Sequence, residues 1–281
     1  VTLIGALRRE IAERLRAQGV DNPWLDAKLL MAEALHVDYA WLFNHEDDQL
    51  ELPEIARIEA LVRRRCNREP ISLILGRREF WSLQFQVTAD SLAPRADSET
   101  LIEAALTAVS DREAPLSLLD LGTGTGCLLL ALLSELPNAT GIGVDLSPAA
   151  LAVAEGNAAR LGLAARSRWV ESDWCARLDG RFDVILANPP YIVSTEIAGL
   201  APEVAHYEPR LALDGGADGY DAYRKLAAQL SPLLTDNGVA LFEVGIGQAA
   251  EVARLLVDNG LVIREIRRDL AGVERCVVAS H

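Results

Sequence analysis

The chain has 281 residues, enough for one large domain or two smaller ones, and half of it is hydrophobic, so a sizeable core can form. Its 27 Lys and Arg against 41 Asp and Glu give a formal charge of −14, which argues against a binder of duplex nucleic acid, because non-specific binding there is driven by positive charge. Cys66, Cys127, Cys175 and Cys276 are scattered, form no CxxC pair, and suggest neither a zinc site nor a disulfide framework.

The apolar run 127–133 is far shorter than the roughly 20 residues that span a membrane. The first residues carry no signal-peptide pattern. His36, His45, His206 and His281 do not gather with cysteines or acids at ligand spacing, so no metal is expected. The expectation is a soluble, cytoplasmic protein.

Residues 1–78 read as a small all-α domain. Leu3, Leu7, Ile11 and Leu15 recur on one helical face. Asn22 and Pro23 read as the cap and first residue of a second helix, with Leu25, Leu29 and Ala32 on its stripe. A third, from about Pro53, carries Ile55, Ile58, Leu61 and Val62. The run Arg63, Arg64, Arg65 reads as a solvated face of it. Residues 79–97 read as a β-hairpin linker, in which Trp81, Leu83, Phe85 and Val87 alternate with polar residues.

Residues 98–281 read as an α/β domain. It opens with a helix from about Ser98. Strands are expected at 117–122, 140–146, 167–173, 182–188, 238–245, 261–269 and 274–281, with apolar helical segments between the early ones. The pattern predicts a Rossmann-like, doubly wound, mostly parallel sheet with helices on both faces. The last two strands, joined by a short turn, predict an antiparallel hairpin at the C-terminal end.

The first strand of this domain runs into Asp120-Leu-Gly-Thr-Gly-Thr-Gly126 and then a helix. Gly122, Gly124 and Gly126 let backbone approach a ligand, and the helix start offers free N–H groups. Asp145 ends the next strand, where its carboxylate can accept both hydroxyls of a ribose and would repel a phosphate. A nicotinamide fingerprint would read GxGxxG; here the spacing is GxGxG. With the acid, this resembles class I methyltransferases that use S-adenosylmethionine. The resemblance implies that Gly122, Thr123, Gly124, Thr125, Gly126, Asp145 and Asn188 bind that cofactor, with Trp174 covering the adenine and Asp173 beside it.

The fourth strand ends in Asn188-Pro189-Pro190-Tyr191. Asn188 has an acceptor and a donor but no titratable base. The prolines offer carbonyls without N–H groups and hold φ nearly fixed. Such a corner suits an NH₂ group on a flat, conjugated carbon, with Tyr191 able to stack on it. These four residues are the catalytic candidates. Motifs of this type occur in methyltransferases for nucleobase amino groups and for glutamine amides.

Residues 68–100, 208–219, 242–248 and 268–275, together with the glycine loop, VDLSP, SDW and NPPY, resemble the protein-(glutamine-N5) methyltransferases of the PrmC/HemK family over nearly the whole chain. Pro94, Arg95, Asp97 and Glu99 fit the group acting on release factors. Ala96 and Ser98 replace that group's usual proline and threonine. The resemblance implies methylation of the glutamine in the Gly-Gly-Gln motif of class I peptide chain release factors, with the helical domain contacting the release factor. It implies no direct nucleic-acid partner and no membrane; a monomer is expected. Alternatives are a ribosomal-protein glutamine methyltransferase, a nucleic-acid amino methyltransferase and a non-enzymatic binder.

Overall fold

The computed structural model describes residues 2–281. Contacts divide the chain into one unit of residues up to 76 plus 201–207 and a second of 77–200 plus 208–281. The first is helical: α1 (Ile4–Ala17), α2 (Pro23–Leu35), α3 (Tyr39–Asn44), α4 (Leu52–Cys66) and α5 (Ile71–Leu75). Leu7, Ile11 and Leu15 of α1 are buried, as their spacing predicts. Asn22 is the α2 cap residue and Pro23 its first position. The buried face of α2 is not the predicted one. It runs through Asp26, Ala27, Leu30, Met31, Ala32 and Ala34, so of the predicted stripe only Ala32 lies fully on it, while Leu25 is 47% exposed.

The arginine run is also not a solvated face throughout. Arg65 is 6% exposed, and its Nε donates to Asp26 at 2.6 Å. Burying Asp26 in α2 and Arg65 in α4 on facing helices pairs two charges that neither helix could bury alone.

In the second unit β1 (Arg77–Phe80) and β2 (Leu83–Gln86) form an antiparallel hairpin. Trp81 is not a strand residue, as the alternation suggests. It and Ser82 make the two-residue turn at φ 52° and 58°, the backbone of a type I′ turn. Glu99 accepts from Trp81 N–H and Glu135 from its indole N–H, which anchors this otherwise unfavourable position.

Then follow α6 (Glu99–Ala108), β3 (Ser117–Leu121), α7 (Cys127–Glu135), β4 (Thr140–Asp145), α8 (Pro148–Arg160), β5 (Ser167–Glu171) and β6 (Phe182–Ala187). Residues 201–207, with α9 (Pro202–Ala205), belong to the helical unit, where Glu203 accepts from Arg65 and Arg68. The second unit resumes with α10 (Asp221–Leu230), β7 (Leu234–Glu243), α11 (Ala249–Asp258), β8 (Val262–Arg268) and β9 (Glu274–Ser280).

The sheet order is β5-β4-β3-β6-β7-β9-β8. The first five strands are parallel; β9 is antiparallel to both its neighbours. Period-two alternation serves two cores. Leu118, Val184, Leu186 and Leu241 face α6 and α7, where Leu101, Leu129 and Leu132 are buried. Leu119, Ile185, Ala240 and Phe242 face α10 and α11, where Leu226, Leu230 and Val252 are buried. This is why the strands read as continuous apolar runs.

Candidate active site

The strand order reverses between β3 and β6, and ligand crevices of open α/β sheets lie at such a point, beyond the carboxyl ends of the strands. Register decides what stands there. Leu121 pairs with Val144 and with Ala187, and Ala187 pairs with Phe242. One residue further on, Asp145, Gly122, Asn188 and Glu243 form a row across four neighbouring strands.

In front of this row lies a cleft of about 950 Å³, lined by Gly122 to Thr125, Asp145, Asp173, Trp174, Asn188 and Pro190. Ser91, Arg95, Ser98 and Arg210 line it as well. Gly126, Pro189 and Tyr191 are not among the lining residues. Gly126, at φ 78°, packs instead: an added Cβ would come 2.9 Å from the Trp169 ring and 3.1 Å from Ala154. Tyr191 packs beside the second core, and its carbonyl accepts from the Gln248 side chain at 3.1 Å. Burial pushes the Tyr191 hydroxyl up to about 12, with the Glu243 charge adding to the effect.

The glycine loop is tied down from both sides. Gly122 and Thr123 N–H donate to the Val144 carbonyl, and Gly124 N–H donates to Asp145 Oδ2 at 2.9 Å. Ser147 N–H donates to Asp145 Oδ1 at 2.9 Å. Each carboxylate oxygen thus spends one lone pair on backbone and keeps one, the pair of acceptors a ribose diol requires. At Gly124 an added Cβ would find only Ser91, 3.8 Å away, so the loop's middle faces open space. Trp174 stands at φ 52° with its ring 3.3 Å from where a Gly122 Cβ would be. Ser91 Oγ, on the cleft wall, is buried without a partner. Glycine backbone, a two-armed acceptor, an indole and an unmet hydroxyl fit an adenosyl group with an amino-acid tail.

Two buried acids were not singled out as site residues by sequence reasoning. Asp120 is fully buried; burial pushes its carboxyl up to about 7 against the Thr123 hydroxyl that donates to it at 2.6 Å. Glu243 is 2% exposed; burial pushes it up to about 7, against hydrogen bonding from Ser98, the Arg275 charge and hydrogen bonding from Asn188. The available signal for Glu243 was an acid ending the apolar run "VALF" at the height where the other strands end in Gly122, Asp145 and Asn188.

The linker acids and base also have partners. Arg95 pairs with Glu208 at 3.0 Å, and Asp97 with Arg275 at 3.0 Å. Glu99 holds the hairpin turn. Among the described residues no group of three His, Cys, Asp or Glu comes together to hold a metal ion, and no helix is long and apolar enough to cross a membrane.

A seven-stranded sheet of this order, a glycine loop, an acid on the next strand and NPPY beyond the fourth define a class I methyltransferase fold. A ribosomal protein L11 methylase of Lactobacillus delbrueckii subsp. bulgaricus shares it, with TM-score 0.50 and 22% identity over 67% of this chain and 80% of that one. Residues 6–76 match the family model of the PrmC N-terminal domain, and 98–205 that of the methyltransferase small domain. A release factor glutamine methyltransferase of Rhodospirillum rubrum is 48% identical over 278 residues, 99% of this chain and 85% of that protein. One of Cereibacter sphaeroides is 47% identical over 271 residues, 96% of each. The chain belongs to the release factor glutamine methyltransferase family.

Proposed function

We propose that the protein transfers a methyl group from S-adenosylmethionine to the side-chain amide nitrogen of the glutamine in the Gly-Gly-Gln motif of class I peptide chain release factors. The observation that carries this reading is the placement of Asn188 at the sheet edge, on the cleft wall, between the glycine loop and Glu243. Family membership supplies the substrate class.

S-adenosylmethionine, when bound, supplies a methyl group already activated on sulfonium sulfur. Gly122 to Thr125, Asp145 and Trp174 are the residues that would hold it. Asn188 and the carbonyl of Pro189 accept the two N–H groups of the glutamine amide and fix its plane. An amide nitrogen is a poor nucleophile, since its lone pair is delocalised into the carbonyl. The work of the site is therefore positioning and electrostatic complementarity. The amide nitrogen sheds its proton readily once alkylated, so no strong base is required beside Asn188. The protein works in the cytoplasm, where release factors act, as a monomer and without a nucleic-acid partner.

The test is transfer of labelled methyl to purified release factor. Transfer to the wild-type factor, and none when the motif glutamine is replaced by alanine, is expected. Equal labelling of both would overturn the substrate assignment. Labelling of a ribosomal protein or of nucleic acid alone would favour one of the other members of this chemistry.

A further inference from the structure

Asn188 can serve the reaction only if its carboxamide is turned the right way. An N–H of the substrate needs the Oδ1 face. The Nδ2 face would oppose one NH₂ group with another. Nothing in Asn188 itself makes this choice, because the two ends of a carboxamide are nearly the same size.

The choice is made behind it. Ser98 and Asn188 both line the cleft, and Glu243 does not. The Ser98 hydroxyl donates its one hydrogen to Glu243 Oε2. Its Oγ then has only lone pairs to offer, and Asn188 Nδ2 donates to it at 3.3 Å. A hydroxyl has one hydrogen, so its commitment to a carboxylate makes it an acceptor toward Asn188. Glu243 is itself fixed, since its carbonyl accepts the Tyr223 hydroxyl at 2.8 Å and its strand pairs with β9.

We propose that Glu243 is a positioning residue that, through Ser98 and by its own hydrogen bonding with Asn188, holds Asn188 with its amide nitrogen toward Ser98 and Glu243 and its carbonyl oxygen toward the substrate amide. The inference rests on the functional reading above. When Glu243 is protonated, its O–H donates to Ser98, whose hydrogen is then free for Asn188. The Asn188 amide turns over, and its NH₂ group faces the cleft. The groups that face Glu243 are Ser98 and Asp97 before α6, Asn188 and Tyr191 after β6, Arg275 and Cys276 on β9, Tyr223 on α10 and Cys127 on α7. Of these, burial pushes Tyr191, Tyr223, Cys127 and Cys276 upward, so Glu243 is the one whose change of charge falls near neutrality.

The experiment uses the full chain, in wild type and as Glu243→Gln, Ser98→Ala, the double variant and Asn188→Ala. Three quantities are measured: kcat on release factor, Kd for S-adenosylmethionine, and the side-chain amide resonances of Asn188 in ¹⁵N-labelled protein between pH 6 and 8. Gln at 243 can present either its oxygen or its NH₂ to Ser98, so it removes the bias without removing volume. The expected result is a fall in kcat of at least about tenfold in each single variant. The double variant should fall no further, because both residues act along one chain. Kd for S-adenosylmethionine should stay within about threefold in the Glu243 and Ser98 variants. The Asn188 resonances should titrate near pH 7 in wild type and not in Glu243→Gln or the double variant. An unchanged kcat, or a titration that survives both substitutions, overturns the proposal. If Asn188→Ala retains full activity, or wild type transfers no methyl to the release factor, the functional reading falls instead, and the resonances alone decide the orientation.

Discussion

Asp145 Oδ2 accepts the Gly124 N–H at 2.9 Å, which ties the end of β4 to the loop that follows β3. The same carboxylate is the proposed partner of the cofactor ribose, so one side chain shapes the loop and binds through it. Replacing Asp145 with alanine removes both contacts. Hydrogen bonds to a charged group are worth roughly 1.5–3 kcal/mol, so Kd for S-adenosylmethionine should rise about 10- to 100-fold. Calorimetric titration reads this directly, and an affinity within twofold of wild type would remove Asp145 from the binding set.

Trp174 sits at a backbone angle that non-glycine residues seldom adopt, φ 52°, on the cleft wall. A strained position kept for an indole points to a use for the ring. Trp174→Phe should hold cofactor nearly as well as wild type. Trp174→Ala should lose about 5-fold or more, since stacking of a base on an aromatic side chain is worth roughly 1–3 kcal/mol. Equal affinities for the two variants would mean that the ring serves packing against Gly122 instead.

The inner strands of the large sheet were legible because they carry short apolar runs bounded by turns, and the glycine loop, Asp145 and Asn188 were legible because strand ends in such a sheet share one edge. What stayed hidden depends on contacts between distant segments. Arg65 reads as a surface arginine until Asp26 and Glu203, which lie 39 and 138 residues away, are placed beside it. The α2 stripe was misplaced because a buried Asp26 interrupts the hydrophobic pattern that helical periodicity relies on. Trp81 extends the alternation of its neighbours by type but not by conformation. Glu243 left a signal as the acid that ends the apolar run of its strand, but an acid at the end of a strand is ordinarily read as solvent-facing. The ion pairs Arg95 with Glu208 and Asp97 with Arg275 join the linker to two remote stretches, contacts that no local pattern announces.

The helical unit should depend on Arg65. Its guanidinium is shared by Asp26 at 2.6 Å and Glu203 at 2.9 Å, and all three side chains are largely buried. Removing one member of a buried ion cluster leaves the rest unpaired, at a cost of about 3–5 kcal/mol. Arg65→Ala should therefore lower the denaturant midpoint sharply, whereas Arg63→Ala, at an exposed position of the same helix, should leave it nearly unchanged. Similar midpoints for the two would mean that the cluster contributes little. The acid side gives a second reading. Burial alone would raise Glu203, but hydrogen bonding from Arg68 and Arg65 brings it down to about 2. A carboxylate whose folded value is depressed contributes stability above its unfolded value, and that contribution is lost as pH falls from about 4.5 toward 2. Glu203→Gln should weaken this acid sensitivity.

Glu243 and Asp120 should act on stability in the opposite direction. Burial raises both to about 7 in the folded protein, above the values they have when the chain is unfolded. Between about pH 4 and 7 the folded state therefore binds more protons than the unfolded state. Stability then falls as pH rises through that window and levels off above it. Roughly 1.4 kcal/mol is lost for every tenfold difference in acidity between the folded and unfolded carboxyl, so the penalty from Glu243 alone is on the order of 3 kcal/mol at pH 8. Replacing it with glutamine removes the ionisation and keeps the shape. Glu243→Gln should melt several degrees above wild type at pH 8, and the gap should shrink at pH 5, where the wild-type acid is neutral. Thermal unfolding of the two proteins at both pH values checks this. A gap of the same size at pH 5 and pH 8 would show that Glu243 does not pass from neutral to charged in the folded protein. A variant that gains stability while losing methyl transfer would mark Glu243 as a residue retained for the reaction at the expense of the fold.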